Sequence, residues 1–250
     1  MAGDGVGCAV GMEYTYDFHL HSCLSPCASD DMTPQNIANM AALAGYDIIA
    51  VADHNTTLHA RAVMEAADRA GIIAVPAMEL TTQEEVHVLC LLPDLDAAEA
   101  FGAYVWDRLP DIPNRRDIFG AQMQVDSRDV PVREIGRLLI SATNIGIYEV
   151  YDLIRSYGGT AMPCHVDRGS FSVISNLGFY DADMGFPAIE LTEACDGEAF
   201  CRAHPSLQGL KHYVNSDAHS LEAIPDAKRR IVLSAPTAGA VIRAIEGKCL

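Results

Sequence analysis

The sequence lacks several features that would assign it to common protein classes. It has no apolar run of the roughly 18 to 20 residues that cross a bilayer. Residues 1–12 have neither a basic start nor a long apolar stretch, so we expect no secretory signal. The glycine-rich motifs of nucleotide-binding folds, G-x-G-x-x-G and G-x-x-x-x-G-K-[ST], are also missing. We therefore expect a cytoplasmic protein with no membrane association.

Basic residues are scarce. Seventeen Lys and Arg stand against 34 Asp and Glu, which gives a formal net charge of -17. Such a charge repels a polyphosphate backbone, and this disfavours polymeric nucleic acid as a partner. A cluster of bound divalent metals would reverse the field locally, so a small phosphorylated substrate remains compatible with the charge.

Cysteines are few for the length of the chain. The eight cysteines are scattered over 250 residues, unlike those of a small disulfide scaffold, and we expect them to be mostly reduced. Cys23 and Cys27 have a spacing that could suit a thiolate metal site. No second pair with matching spacing follows, which argues against a cysteine-based zinc site.

No composition break divides the chain, and half of its residues are apolar, so we expect one domain over residues 1–250. Strand-like and helix-like segments alternate, which favours parallel strands with right-handed crossovers. Seven or eight strands in this length favour an α/β fold closed into a TIM-like barrel over the alternative, an open doubly wound sheet. Residues 108–144, which contain three prolines, interrupt the pattern and are predicted to be an insertion that forms a lid or rim.

Apolar periodicity and capping residues define the predicted elements. Strands are predicted over residues 14–21, 46–52, 72–78, 86–92, 160–164, 188–191, 212–215 and 230–233. Helices are predicted over residues 34–44, 58–70, 95–106, 147–157 and 237–246, with a possible hairpin turning at residues 126–128.

Histidines and acids follow the ends of successive predicted strands, and these ends converge on one face of a parallel barrel. The residues concerned are His19, His21, His54, Glu79, His165, Asp217 and His219. Neutral imidazole and carboxylate are ligands that Zn, Mn and Fe accept, so the pattern predicts a metal site. His87 lies near the start of a strand. It can reach this face only if the chain folds back after Glu79, and the alternative is a half-buried structural histidine.

Six short motifs occur in order between residues 17 and 220: D-F-H-L-H-S, A-D-H-N-T-T, A-M-E-L-T-T, E-V-H-V, P-C-H-V-D-R and N-S-D-A-H-S. Together they resemble the PHP (polymerase and histidinol phosphatase) family of metal-dependent phosphoesterases. The resemblance implies a distorted (β/α)7 TIM-like barrel of PHP type with two or three divalent ions, Zn, Mn or Fe. It implies as metal ligands His19, His21, His54, Glu79, His87, His165, Asp217 and His219, with Glu79 bridging two ions.

The family has a ninth ligand, His or Asp, shortly after the first motif, where this sequence has a longer segment. Asp30 and Asp31 are both candidates, and we take Asp31, next to the predicted helix. The alternative is that these acids only place charge near a helix N-terminus. Asp53 is either an acceptor that fixes an imidazole tautomer or a helix-leading cap.

Two further positions bear on the chemistry. Arg168 follows His165 by three residues and could bind a substrate phosphate, with a surface salt bridge as the alternative. Glu190 and Glu193 lie in or just after a predicted strand, and alternation makes one of them face the site without deciding which.

The function expected from these features is metal-dependent hydrolysis of a phosphate ester of a small molecule, a nucleotide or a phosphorylated metabolite. Glu79 and Arg168 would carry the chemistry, and Arg168 would also bind the substrate. Amidohydrolase-type cleavage at the same site is one alternative, and a barrel that only binds metal or a partner protein is another. The sequence fixes neither the number of metals nor the oligomeric state.

Overall fold

The structure, a computed structural model, describes residues 11–248. Cys8 and Cys249 lie outside this range. So do residues 1–10, which make up most of the segment on which the expectation of no secretory signal rests. The strands are β1 (Met12–Leu20), β2 (Ile48–Val51), β3 (Ile73–Ala74), β4 (Ala77–Thr81), β5 (His87–Leu91), β6 (Met123–Val125), β7 (Pro131–Glu134), β8 (Thr160–Pro163), β9 (Ala188–Leu191), β10 (Lys211–Val214) and β11 (Arg230–Leu233). The helices are α1 (Pro34–Ala44), α2 (Ala60–Ala70), α3 (Leu95–Trp106), α4 (Arg116–Phe119), α5 (Ile147–Ser156), α6 (Val173–Leu177), α7 (Gly197–Ala203) and α8 (Ala238–Ile245).

The strands form four small sheets of mixed direction. One has the order β11-β1-β2-β3, with β11 antiparallel to β1 and the remaining pairs parallel. A second, β4-β5-β8, is antiparallel throughout, and β9 and β10 form a parallel pair. The fold is therefore α/β as predicted, but the prediction of parallel pairing throughout is wrong and a closed (β/α)7 barrel is not confirmed.

The direction of β5 follows from a short connection. Strand β4 ends at Thr81 and β5 begins at His87, whereas a parallel crossover takes about a dozen residues or more. The chain must therefore turn back, and Thr81 pairs with His87 across the two strands. The turn brings the start of β5 next to the end of β4. His87 could reach the face of the predicted metal site only if the chain folded back in this way.

Strands β4 and β1 each bury apolar side chains on one face and carry predicted site residues on the other. Met78 and Leu80 are fully buried in an apolar cluster that also contains Phe101 of α3 and Val150 of α5. Because successive strand residues point to opposite faces, Glu79 between them points away from this cluster. The same alternation on β1 separates Phe18, which packs in the core, from His19.

Most predicted helices begin and end close to where capping chemistry indicated. Thr33 accepts a hydrogen bond from the amide of Asn36 at the start of α1, and Gly45 ends the helix with a left-handed φ of 88°. Three short helices, α4, α6 and α7, were not predicted. Within residues 11–248, no helix combines the length and apolarity that a membrane crossing requires.

The predicted insertion, residues 108–144, contains α4 and the β6–β7 hairpin, which turns at residues 126–130. The hairpin packs against α2, where the Ser127 hydroxyl donates to Glu65 at 2.7 Å. The side-chain amide of Asn55 donates to the carbonyl of Leu139 at 2.6 Å. The insertion is thus anchored beside the segment that carries His54.

Candidate metal centre

Five of the implied histidine ligands surround one buried carboxylate, that of Glu79. Glu79 is 1% exposed. Its oxygens lie 2.8 Å from His87 Nδ1, 2.9 Å from His54 Nδ1, 3.3 Å from both His21 Nε2 and His165 Nε2, and 3.4 Å from His19 Nε2.

A second carboxylate, Asp217, completes the cluster. Its Oδ1 lies 3.1 Å from His21 Nε2, 3.5 Å from His19 Nε2 and 3.6 Å from His219 Nδ1. Candidate ligand atoms of His19, His21 and Asp217 lie within 4.8 Å of one another, as do those of His54, Glu79 and His87. We call His19, His21, Glu79, His87, His165 and Asp217 the interior group.

The local backbone explains how distant segments meet here. His19 lies near the end of β1 and His21 directly follows the strand, and as alternate residues of extended chain both can face the same side. His165 and Asp217 follow β8 and β10 with left-handed φ values of 30° and 53°. Such conformations are unfavourable for residues other than glycine and are concentrated at functional sites. They end the strand alternation, and the His165 side chain faces Glu79 while that of Asp217 faces His19 and His21.

Burial and charge oppose each other in the interior group. Burial alone raises the pKa of Glu79, but the imidazoles of His87, His19 and His54 outweigh it and hold this pKa well below its usual value. Burial lowers the pKa of His21, but Asp217 and Glu79 outweigh burial and raise it to about 9. The carboxylates therefore favour positive charge on the imidazoles, and a divalent cation can take the place of those protons.

Unsatisfied atoms at the centre also fit a cation. Glu79 Oε2, Asp217 Oδ1, His54 Nδ1 and His165 Nδ1 are buried, and none of them makes a hydrogen bond of good geometry, although His54 Nδ1 lies 2.9 Å from Glu79 Oε2. Leaving such atoms unpaired is costly in a protein interior. Imidazole nitrogens and carboxylate oxygens suit zinc, manganese and iron, so this donor set fits the divalent metals that the sequence implies.

Glu190, and not Glu193, faces the interior group. Its Oε2 lies 2.9 Å from His19 Nδ1, and the same carboxylate accepts from the backbone amide of His165 at 3.0 Å and from Asn215 Nδ2 at 2.7 Å. Glu193 is exposed and lies 3.7 Å from Lys228 Nζ. Glu190 therefore orients the His19 ring and fixes the position of His165.

Asp53 supports the site through two serines. It accepts from the Ser22 hydroxyl at 2.6 Å and from the Ser25 hydroxyl at 2.7 Å, and Ser25 Oγ lies 3.1 Å from His21 Nδ1. The alternative role as a helix cap does not apply, because the N-cap of α2 is His59. The influence of Asp53 on an imidazole is indirect, through Ser25.

Arg168 lies at the rim of the cluster. Its Nη1 is 2.6 Å from Asp217 Oδ2, and its side chain is 44% exposed. The salt-bridge alternative is thus real, but the partner is a carboxylate of the interior group. The guanidinium is close to the cluster and open to solvent on one side.

The structure does not bring Asp31 to the cluster. Its side chain is exposed, and it belongs to none of the ligand groups found within residues 11–248. The extra residues of this segment form tight turns, with the amide of Ala28 donating to Ser25 O at 3.0 Å and that of Met32 to Ser29 O at 3.0 Å. These turns leave Asp31 on the outside, leading into α1.

Cys27 lies where the ninth ligand was expected. Its sulfur belongs to a group with ring nitrogens of His21, His54 and His219, all within 4.8 Å of one another. Cys23, by contrast, is buried, with its Sγ 3.7 Å from the carbonyl of Met123. The two cysteines do not form a joint site. The cue that sequence reasoning missed was the position of Cys27 inside the lengthened segment.

No family model matches the chain, and no curated protein matches it. Similar solved structures exist. The lesion-specific endonuclease PfuEndoQ from Pyrococcus furiosus is 19% identical, with a TM-score of 0.65 over 94% of this chain and 56% of that one. An Endonuclease Q complex with a 27-mer duplex substrate, with an abasic lesion at the active site, is 19% identical, with a TM-score of 0.66 over 94% of this chain and 57% of that one. The chain thus spans about half the length of these endonucleases.

A third similar structure is a two-domain protein from Bacteroides vulgatus containing a predicted PHP-like metal-dependent phosphoesterase. It is 14% identical, with a TM-score of 0.57 over 97% of this chain and 65% of that one.

These comparisons correct one expectation. The net charge disfavoured polymeric nucleic acid, yet a protein of similar fold holds a DNA duplex at its active site, so that exclusion is wrong. The physical reason is that net charge averages over the whole surface, whereas binding depends on the field at the site. The resemblance to PHP-like metal-dependent phosphoesterases is confirmed at the level of the fold.

Proposed function

We propose that this protein is a metal-dependent phosphoesterase. The observation that carries the proposal is the interior group: two buried carboxylates, Glu79 and Asp217, surrounded by imidazoles, with the Arg168 guanidinium 2.6 Å from Asp217. Isolated buried carboxylates are strongly disfavoured, so this arrangement calls for bound cations. Arg168 adds a guanidinium that can bind the phosphate group of an ester.

The interior group divides around Glu79. His19, His21 and Asp217 would hold one ion, and His87 and His165 another, with the Glu79 carboxylate between them. Divalent zinc, manganese or iron ions, when bound, supply an activated water and polarise phosphoryl oxygens. Two ions fit this division, and His54 and His219 leave room for a third.

The chain's own residues supply position and charge. Glu190 holds the His19 ring through Nδ1, and Asp53 acts on His21 through Ser25. Arg168 binds the non-bridging oxygens of the phosphoryl group, and Asp217 orients its guanidinium at the rim. Preorganised groups of this kind stabilise the charge that develops on those oxygens.

The substrate class is a phosphate ester, and two candidates follow from different observations. A small ester, such as a nucleotide or a phosphorylated metabolite, requires only the cluster and Arg168. A phosphodiester in damaged DNA is favoured by the likeness to Endonuclease Q, which holds an abasic duplex at its active site. The insertion at residues 108–144, anchored beside His54, would act as a rim that selects between them.

Two other functions use the same site. Amidohydrolase-type cleavage needs the metals but not the guanidinium, so the place of Arg168 argues for phosphate. A barrel that only binds metal or a partner protein would not need Arg168 beside Asp217.

We also propose that residues 1–250 form one domain and that seven strands are arranged as a distorted ring of PHP type. Single bridges from Leu20 to Ala218 and from His54 to Glu79 link neighbouring sheets and support this arrangement. The ring would be closed by these bridges and by contacts between side chain and backbone, without continuous ladders.

The proposal is tested by metal analysis of the purified chain, followed by a rate screen with zinc, manganese or iron(II). The screen contains small phosphomonoesters, phosphodiesters and an abasic duplex. We expect bound metal and turnover of at least one ester, lost on chelation and restored by metal. Metal without turnover of any ester would favour the alternative functions, and absence of metal binding would contradict the proposal.

A further inference from the structure

Beyond the interior group, a separate cluster lies on its solvent side. Candidate ligand atoms of Cys27, His54, His219 and His21 lie within 4.8 Å of one another. Ring centroids of His21 and His54 are 4.7 Å apart, and those of His21 and His219 are 4.3 Å apart. Three imidazoles and a thiol therefore share one small volume.

The loop that carries Cys27 is fixed to the segment that carries His219. The amide of Ser29 donates to the carbonyl of His219 at 2.8 Å, and the turn from Ser25 to Ala28 closes with a 3.0 Å hydrogen bond. These backbone contacts hold the short side chain of Cys27 beside the imidazole rings.

The ring contacts divide the imidazoles between the two clusters. His21 Nδ1 lies 3.1 Å from Ser25 Oγ, and its Nε2 faces Asp217, so His21 belongs to the interior group. His54 Nδ1 is turned to Glu79, and His219 Nδ1 lies 2.7 Å from the carbonyl of Asp217. Each of these two rings keeps Nε2 for a ligand, in the manner of metal-bound histidines whose other nitrogen faces an oxygen.

We infer that Cys27, His54 and His219 form a distinct metal position, the Cys27 group, in which a cysteine thiolate takes the place of an oxygen ligand. The inference rests on the proposed function, since His54 also adjoins Glu79. A thiolate with two imidazoles suits zinc and disfavours magnesium and manganese. Three protein ligands also leave a coordination position open, as in catalytic zinc sites.

The consequence is a centre with two different metal preferences. The six residues of the interior group offer nitrogen and oxygen ligands and accept manganese, iron or zinc, whereas the Cys27 group selects zinc. The buried thiol of Cys164 lies next to the interior group, within 4.8 Å of candidate ligand atoms of Glu79 and His165, so the effect of Cys27→Ser identifies which thiolate binds metal. Because Cys27 is exposed, a metal held by this group would be accessible from solvent, the side from which a phosphate ester enters.

Cobalt substitution of the full chain under reducing conditions tests the inference. Co²⁺ bound by a thiolate gives a sulfur-to-metal charge-transfer band in the near ultraviolet, in addition to its visible bands. We expect the band in the unaltered protein and its loss in Cys27→Ser, with one equivalent of metal lost and the visible bands of the interior ions kept. Cys195→Ser, a change at a partly exposed cysteine outside every ligand group found in residues 11–248, should keep the band.

Alkylation gives a second readout that does not depend on activity. Zinc should slow the reaction of Cys27 with iodoacetamide by more than about tenfold, because a bound thiolate is a poorer nucleophile, and should leave Cys195 unchanged. Cobalt binding with no charge-transfer band and no protection of Cys27 would overturn the inference while leaving the proposed function intact. Failure to bind any metal would overturn both.

Discussion

The interior group and the Cys27 group adjoin each other but are carried by different kinds of structure. His19, Glu79 and His165 lie at the ends of strands whose other faces pack in the apolar core. Cys27 lies on a loop that is held by turns and one contact to His219. Core packing fixes the interior positions, whereas local hydrogen bonds fix the Cys27 group. We expect the interior group to be the more rigid and the more sensitive to substitution.

The interior group also differs in its electrostatic environment from Arg168 at the rim of the cluster. Taking a carboxylate out of water costs several kcal/mol even after relaxation, so Glu79 needs compensating positive charge. At the rim, Arg168 is 44% exposed, and an ion pair of that exposure contributes about 1 kcal/mol or less to stability. The interior group thus depends on metal for its balance of charge, and the rim does not.

The largest effect is expected at the centre of the interior group. Glu79→Gln removes the carboxylate between the two proposed ions, so the rate of ester hydrolysis should fall more than about a hundredfold, beyond the effect of residues that only support a ligand. Metal content per chain, measured on the same preparation, should fall with it. Glu193→Gln, at an exposed position, is the matched control. Unchanged metal content in Glu79→Gln would contradict the assignment.

A smaller loss of metal affinity is expected for Glu190, which contacts the ligand His19 and is not itself a proposed ligand. Glu190→Gln keeps the shape but removes the charge beside His19 Nδ1, and metal affinity should fall by roughly 10- to 100-fold. Competition with a metal-sensitive chelator measures this affinity. If the variant binds metal as tightly as the unaltered protein, Glu190 does not orient a ligand.

At the rim, Arg168→Ala should lower kcat/KM for a phosphate ester by roughly 10- to 100-fold, the equivalent of one or two charge-assisted hydrogen bonds. Metal content should stay unchanged, which separates this role from ligation. Arg202→Ala, at an exposed arginine 3.5 Å from Glu198, is the control. Equal loss of metal and activity in Arg168→Ala would mean that the residue acts through Asp217 and not on substrate.

The two regions should also differ in their response to pH when metal is removed. The pKa of His21 is raised from 6.5 to about 9 by Asp217 and Glu79 against the effect of burial, so its contribution to stability is present below pH 6.5 and is lost as pH rises through 9. Burial, together with His21, lowers the pKa of His219 to about 4, so its contribution is lost as pH falls from 6.5 through 4.

The melting temperature of the chelated protein should therefore be highest near pH 6.5 and fall by several degrees on either side. Metal should remove the alkaline decline, because the cations replace the protons on the interior imidazoles. An alkaline decline that is unaffected by metal would separate the raised pKa of His21 from the metal centre.

The smallest effect is expected for Asp31→Asn. Because Asp31 is exposed and outside the ligand groups of the described chain, metal content and rate should change by less than about twofold. A large loss of metal in this variant would restore Asp31 as the ninth ligand and would remove the argument for Cys27.

The comparison also indicates which features a sequence can reveal. Strands β9 and β11 and helix α3 have the bounds that apolar runs and flanking polar residues predict, since those signals are local. The direction of β5 was missed because strand pairing depends on partners that are distant in the chain. The short link from Thr81 to His87 is by itself enough to predict that β5 runs antiparallel to β4.

Within the candidate site, too, residues at strand ends could be predicted from the sequence, whereas the loop residue could not. His19 and Glu79 could be found because strand alternation and motif order place them together. Asp31 was preferred over its neighbours by position alone, and the turns between Ser22 and Met32 decide instead which side chain of the loop faces inward. A sequence gives loop length more readily than loop shape, and so Cys27 was assigned no role.

Strand-end imidazoles and acids are proposed to hold divalent ions around Glu79. Anomalous X-ray diffraction from crystals loaded with manganese and zinc would locate these ions. We expect anomalous peaks on either side of the Glu79 carboxylate, bounded by His19, His21 and Asp217 on one side and by His87 and His165 on the other. Fully loaded crystals with no peak beside Glu79, or with metal only at surface acids elsewhere, would contradict this proposal.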